Sequence, residues 1–301
     1  MKKLLALLCL CACLSVQAVF SLGRAANQAT QPSAAERLDS VQSRANEAQA
    51  AMERAFAQND LVSTLEDQYY LGRAVAANIL TIYRLYTENP ALTRYLNLIC
   101  QAIVINNPAI ELFDGSFVVI LDSPELNAFA SPGGHILVTK GLVEAAVSED
   151  MLAAVIAHEL AHIKLKHGIK MIEEMRFFAD MNAVADRGFE FLSGSSGAQR
   201  LAEFRASVTA MTDTMLRNGY SQDQEFEADR EAVALMSAAG YDPDALVAVL
   251  KVLYDNRDTG GMGLNATHPS ALERVVQLDR WIGAYNVLDT RRYRSPRFKN
   301  N

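Results

Sequence analysis

The five residues His158-Glu159-Leu160-Ala161-His162 place two imidazoles four positions apart with a carboxylate between them. On an α-helix, positions i and i+4 share a face one turn apart, so both rings can reach one metal ion. Glu159 lies beside them, not as a third ligand from that helix but as a base toward a water. This is the arrangement that zinc-dependent peptide hydrolysis requires. Catalytic zinc takes three protein ligands and keeps one position open, so a further donor must come from elsewhere in the chain.

Glu225-Phe226-Glu227-Ala228-Asp229 offers that donor. Glu225 and Asp229 are again four apart. Glu225 can ligate the metal, and Asp229 can accept a hydrogen bond from the far nitrogen of a zinc histidine and fix its tautomer. Glu227 points to another face and is the weaker candidate. The competing reading, a solvated acidic helix start favoured by the helix dipole, stays open for this segment taken alone. His268 precedes Pro269 and therefore sits in extended or turn backbone. Two parts fit it, an electrophile in a cleft or a reversible metal contact, beside the plain alternative of a surface-loop histidine. Arg274 follows six residues later. His135 and His167 read as structural.

These side chains need elements to hold them. The first motif falls in a helix over 149–167, with Ser148 as N-cap, Glu149 and Asp150 in the first turn, lysines towards the far end and Gly168 to stop it. Its remaining residues are so apolar that the helix must be buried almost all round. Upstream, 34–60 reads as a polar helix and 61–106 as helical with a break at Asn89-Pro90. Strands follow at 116–121, 127–130 and 135–139, with Pro132-Gly133-Gly134 turning the chain. Residues 169–219 read as two helices around the loop 193–197. Ser221 to Gln224 forms a capping box that opens a helix ending at Gly240, and Asp242-Pro243 starts another. The chain shows no internal repeat. The fold class is α+β, mostly helical with a small β-sheet.

At this point the sequence resembles the HtpX- and BepA-like zinc metallopeptidases, relatives of the CAAX prenyl endopeptidase. The likeness runs through Leu71-Gly72-Arg73 and then Asn127-Ala128-Phe129-Ala130-Ser131-Pro132-Gly133-Gly134. It continues with Gly141-Leu142, His158-Glu159-x-x-His162, Glu225-x-x-Ala228-Asp229 and His268-Pro269-Ser270, in family order over about residues 65–285. The resemblance implies a zincin-like (gluzincin) domain and one Zn2+ per chain held by His158, His162 and Glu225. It also implies Glu159 as catalytic base and Asp229 behind a ligand. His268 would lie over the zinc and restrain activity, and Arg274 would support substrate or the oxyanion in the cleft. The strand at Asn127, Ala128, Phe129 and Ala130 could add an extended substrate at its edge, or be an ordinary hairpin strand. Unfolded or misfolded envelope proteins are the implied substrates, and outer-membrane or envelope assembly factors the implied partners. A holdase that cuts rarely is the rival. A structural zinc module is a weaker one, because such sites usually close all four positions, often with cysteine.

The whole chain bounds these readings. It has 301 residues, 50% of them hydrophobic, and a formal net charge of −7. No basic patch dominates, which argues against nucleic acid. The exception is the end, 288–301, with Arg291, Arg292, Arg294, Arg297 and Lys299, which reads as a solvated basic tail. Residues 1–18 read as a secretion signal, with Lys2 and Lys3 before an apolar stretch and Val16-Gln17-Ala18 as cleavage site. Removing them takes the net charge from −7 to −9. Of four cysteines, three lie in that segment, leaving Cys100 as a buried, inert thiol. Leu10-Cys11-Ala12-Cys13 also resembles a lipoprotein cleavage site, and lipid on Cys13 would tie the protein to a membrane. The expected location is the periplasm or cell envelope. The resulting plan is a signal at 1–18, a leader and polar helix at 19–60, the metallopeptidase domain at 61–287 and the tail.

Overall fold

The computed structural model describes residues 64–174, 197–256, 268, 271–285 and 291–299. The signal, the leader and polar helix, loop residues 193–196 and the Pro269-Ser270 pair lie outside the described residues. The unbroken apolar run after Ser116 forms β1 (Phe117–Leu121), followed by β2 (Ala128–Ser131) and β3 (His135–Thr139). The sheet order is β1-β3-β2, with β1 parallel and β2 antiparallel to β3. Val118, Ile120, Ile136 and Val138 pack into one core, while Val119, Leu121, Phe129 and Leu137 pack into another. Both faces are covered, which is why β1 lacks the polar alternation of a half-solvated strand.

Helices α1 (Leu65–Ile79) and α2 (Pro90–Ile105) precede the sheet. Thr64 and Asp67 cap α1 reciprocally, and Asn89 caps α2 just before its proline. From α2, the Asn97 side chain accepts from Val118 N–H at 2.9 Å and donates to Val118 C=O at 2.7 Å. Asn97 thus stands in for a neighbouring strand on the outer edge of β1. α1 also presses on the turn between β2 and β3. A Cβ on Gly72 would collide with the Pro132 carbonyl oxygen, and Gly133 takes φ +70° beside the α1 backbone. The sequence motifs around these glycines are therefore two sides of one contact.

After the short α3 (Lys140–Ala145), the metal-motif helix α4 runs Glu149–Lys164 with Ser148 as N-cap. It stops earlier than the expected end at 167. Lys166 adopts φ +58° after the C-cap Leu165, and helix resumes over 167–174. A non-glycine residue in this conformation costs energy and persists only where the surroundings fix it. Here the break swings His167 back towards α4. α5 (Gly197–Arg217), α6 (Gln222–Ala238), α7 (Asp244–Asp255), α8 (Ala271–Ile282) and α9 (Arg291–Lys299) complete the described chain. The Ser221–Gln224 capping box is present, and α7 begins one residue past its proline. α4 packs along α6, and Ala154, Ala157, Ala161, Ala228 and Ala232 are all fully buried in the core they share. Small side chains let the two backbones approach closely enough for their polar residues to meet.

The basic tail forms a helix that is largely exposed, as expected, but two of its arginines anchor it. In α9, Arg294 is buried and pairs with Asp150 at 2.7 Å, and Arg297 pairs with Glu149 at 2.5 Å. Tyr95 and Tyr241 also donate to Glu149. Acids in the first turn of α4, which favour that helix end, double as the docking point for the tail's arginines. No helix among the described residues is long and apolar enough to cross a membrane.

Cys100 is fully buried beside Ser116, and burial pushes its thiol up to about 12, the inert state expected. His135 is fully buried at the head of β3, with Nδ1–H donating to Pro132 C=O at 3.2 Å. Burial lowers its pKa from 6.5 to about 3. The unfolded chain therefore binds a proton that the folded one refuses. Stability present above pH 6.5 is lost as pH falls from there towards about 3, at no more than about 1.4 kcal/mol per pH unit for one group. His135→Gln should flatten that slope in pH-dependent urea unfolding; an unchanged slope would assign the acid sensitivity to other groups.

Candidate metal centre

Four side chains converge where α4 faces α6. One ligand atom from each of His158, His162, Glu225 and His268 lies within 4.8 Å of all the others, and all four residues are buried. His158 Nε2 is 3.0 Å from His162 Nε2 and 3.4 Å from His268 Nδ1. Glu225 Oε1 is 3.4 Å from His162 Nε2 and 2.7 Å from His268 Nδ1, while its Oε2 is 3.3 Å from His158 Nε2. Zinc bonds of about 2.0–2.1 Å in a tetrahedron demand ligand atoms about 3.3 Å apart. The donor set of imidazoles and one carboxylate, and its spacing, fit zinc.

The protonation states suit it in part. Burial and the charge of Arg274 would lower His158, but its contacts with Asp229 and Glu225 prevail and raise it to about 9, so zinc must displace a proton there. Burial lowers the pKa of His162 well below 6.5, which leaves a neutral ring. Burial alone would raise Glu225. The charges of His268 and Arg274 and the facing rings of His158 and His162 prevail and hold it well below 4.5. Glu159 is the exception. It is 1% exposed, its Oε2 has no hydrogen-bond partner, and burial raises its pKa above 4.5. A buried, unpartnered carboxylate oxygen beside a metal-donor set is where a base acting on water should be.

Behind the donors, His158 Nδ1 lies 3.1 Å from Asp229 Oδ1. Arg274 grips Asp229 with two hydrogen bonds of 2.7 Å and is itself 1% exposed. Arg274 Nη1 also lies 2.9 Å from Glu225 Oε2, but off the hydrogen-bond axis, so this contact is ionic only. The guanidinium expected in the cleft beside an oxyanion thus sits behind the donors with its charge facing two carboxylates. Its geometry suits positioning.

On the open side, Ala128, Phe129 and Ala130 line a cavity with Glu159, Tyr220 and His268. Thr139 N–H donates to Asn127 C=O, making residues 127 and 139 a hydrogen-bonded pair of the antiparallel ladder. By alternation the next such pair is Phe129 with Leu137, so the peptide groups of Ala128 and Ala130 face the outer edge. Tyr220 O–H donates to Ala130 C=O at 3.4 Å, and its ring stacks on His162 with centroids 4.0 Å apart. The Asn127 side chain is fully buried and accepts from Ala128 N–H, so it shapes the strand end and does not face the cleft. The cavity holds about 10 Å³, room for about one water molecule and not for a peptide.

Tyr220 was not singled out by sequence, although its place just before the capping box puts it one turn from Glu225. Nor was the contact of His167 Nδ1 with His162 Nδ1 at 2.9 Å. The spacing of five from His162 to His167 signals it only once the helix break at Lys166 is known.

A histidine pair and a glutamate gathered around one point, with a second glutamate unpartnered on the cleft side, define a metallopeptidase of the zincin kind. The chain belongs to peptidase family M48, whose description matches residues 90–282, and is by family a zinc metalloendopeptidase. It is 27% identical over 168 residues to the beta-barrel assembly-enhancing protease of Escherichia coli, covering 56% of this chain and 34% of that protein. It is 31% identical over 169 residues to the mitochondrial metalloendopeptidase OMA1 of Schizosaccharomyces pombe, covering 54% of this chain and 45% of that one. The OMA1 of Arabidopsis thaliana is likewise 31% identical, over 160 residues, 52% of this chain and 30% of its own length. The matched stretches thus span less than half of each relative.

Proposed function

We propose that this protein hydrolyses peptide bonds of unfolded or misfolded cell-envelope proteins, with His158, His162 and Glu225 holding one zinc ion and Glu159 as base. The carrying observation is the convergence of the donor atoms beside the unpartnered Glu159 carboxylate. Zinc bound there supplies an acidified water and a polarised scissile carbonyl. Glu159 takes the water's proton and delivers it to the leaving amine. Asp229, held by Arg274, keeps the proton of His158 on Nδ1 and its Nε2 free to ligate. The outward C=O of Ala128 and N–H of Ala130 can pair with an extended substrate, a mode that reads backbone more than sequence. Such recognition suits unfolded clients. The E. coli relative's role in beta-barrel assembly supports an envelope setting and assembly partners for this chain too, as does the secretion signal expected at 1–18.

The resting state supported by the structure is latent. His268 Nδ1 occupies a donor position within hydrogen-bond distance of Glu225, and the cleft has room for about one water. A substrate strand must displace both His268 and the Tyr220 contact. Cleavage of an unfolded test protein should stop with a chelator and return with zinc, and His268→Ala should raise it. Loss of cleavage in His268→Ala would make the histidine a catalytic electrophile instead. Zinc-independent cleavage would remove the reading altogether.

A further inference from the structure

The two zinc histidines are braced by different means. His158 leans on a carboxylate, Asp229. His162 leans on another imidazole, with its Nδ1 2.9 Å from His167 Nδ1, and His167 Nε2 lies 3.2 Å from Glu227 Oε2. The order of protons along this row follows from the ends. Glu227 is a carboxylate and can only accept, so His167 carries its proton on Nε2. His167 Nδ1 is then an acceptor, so His162 carries its proton on Nδ1. That leaves the lone pair of His162 on Nε2, the atom that faces His158 and Glu225. Every hydrogen bond in the row is satisfied in one arrangement, and that arrangement is the metal-ready tautomer.

We propose that His167 and Glu227 are positioning residues for the zinc ligand His162. Three observations carry this. His167 is fully buried, yet reaches its place through the left-handed turn at Lys166, a conformation that core packing alone would not require. Glu227 has a half-exposed side chain, so burial does not dictate its contact with His167. And the short segment Glu225–Asp229 on α6 sends its carboxylates three ways, to the donor cluster, to His167 and to His158. One helix start thereby sets a donor and the hydrogen-bond partners behind both histidines.

The inference rests on the zinc reading, and the test separates the two. Zinc affinity of the full chain is measured by competition with a chromophoric chelator, alongside thermal unfolding of the metal-free protein. His167→Ala should weaken zinc binding by about 10–100-fold, the usual effect of losing a ligand's hydrogen-bond partner. His167→Asn, whose amide oxygen can accept near the lost Nδ1, should recover most of that loss. Glu227→Gln should weaken binding by a smaller factor while leaving metal-free unfolding unchanged, which a merely structural glutamate would not do. Glu227→Gln and a folded His167→Ala that both bind zinc as the wild type does would overturn the inference. If His167→Ala does not fold, wild-type affinity in Glu227→Gln alone overturns it. A wild-type chain that binds no zinc would overturn the zinc reading beneath it.

Discussion

Glu159→Gln should keep its zinc and lose turnover by about 10²–10⁴-fold, the range of a positioned acid–base group. The substitution preserves size and leaves His158, His162 and Glu225 in place. It removes only the ability to take a proton. A second effect should accompany the first. Burial raises the pKa of Glu159, so the folded protein bears a cost for its ionised form at neutral pH. Glutamine has no charge to bury, and the variant should unfold at the same temperature as the wild type or higher. Lost turnover with unchanged or improved stability would mark a residue kept for chemistry against the interest of the fold. Retained turnover would break the assignment of the base. Lost zinc would instead put Glu159 among the ligands.

Arg274→Met should have the largest effect on stability. The guanidinium is fully buried and faces Asp229 and Glu225, which are buried as well. Removing it strands two carboxylates, at a cost of about 3–5 kcal/mol, or a loss on the order of 10 °C in Tm. The pH dependence gives the mechanism away. In the wild type, burial would raise Asp229, but Arg274 prevails and holds it below 3.8. Its contribution is therefore present above pH 3.8 and lost as pH falls through the lower folded value. In Arg274→Met only His158 still opposes burial, so the Asp229 carboxyl shifts towards its protonated form and the variant loses less stability as pH falls. The gap between the two proteins should narrow in acid. A gap independent of pH would mean that Arg274 acts through packing alone.

What could be read from sequence, and what could not, divides along a physical line. The spacing of His158 and His162, the capping box at Ser221 and the apolar run of β1 are local patterns. Each is fixed by a few neighbouring residues and forms where expected. Glu225 meeting the histidines needed one long-range step, and the alanines that let α4 approach α6 were visible as the apolar face of the motif helix. The missed features all depend on a partner distant in sequence or on a single backbone angle. That Arg294 and Arg297 anchor the largely exposed tail was not legible, because nothing near them announces Asp150 and Glu149, more than a hundred residues earlier. His167 looked structural because it falls near the expected end of the motif helix. Lys166 gives no sequence sign that it will adopt φ +58°. For Arg274, the position in the cleft was only what the family resemblance implied. Its true partners are set by how α8 crosses α6.

The docking of α9 on the first turn of α4 has a consequence in time. Chains are made from the N-terminus onward and their parts fold as they emerge. The metal-motif helix is complete well before Arg294 and Arg297 exist to neutralise Glu149 and Asp150. Until they arrive, the helix that carries His158, Glu159 and His162 lacks the clasp at its N-terminal end. A half-made or truncated copy thus lacks two charge contacts that the finished chain makes at that helix end. A chain ending at residue 290 should show faster amide exchange across Glu149–Lys164 than the full chain; equal protection would mean the clasp is dispensable.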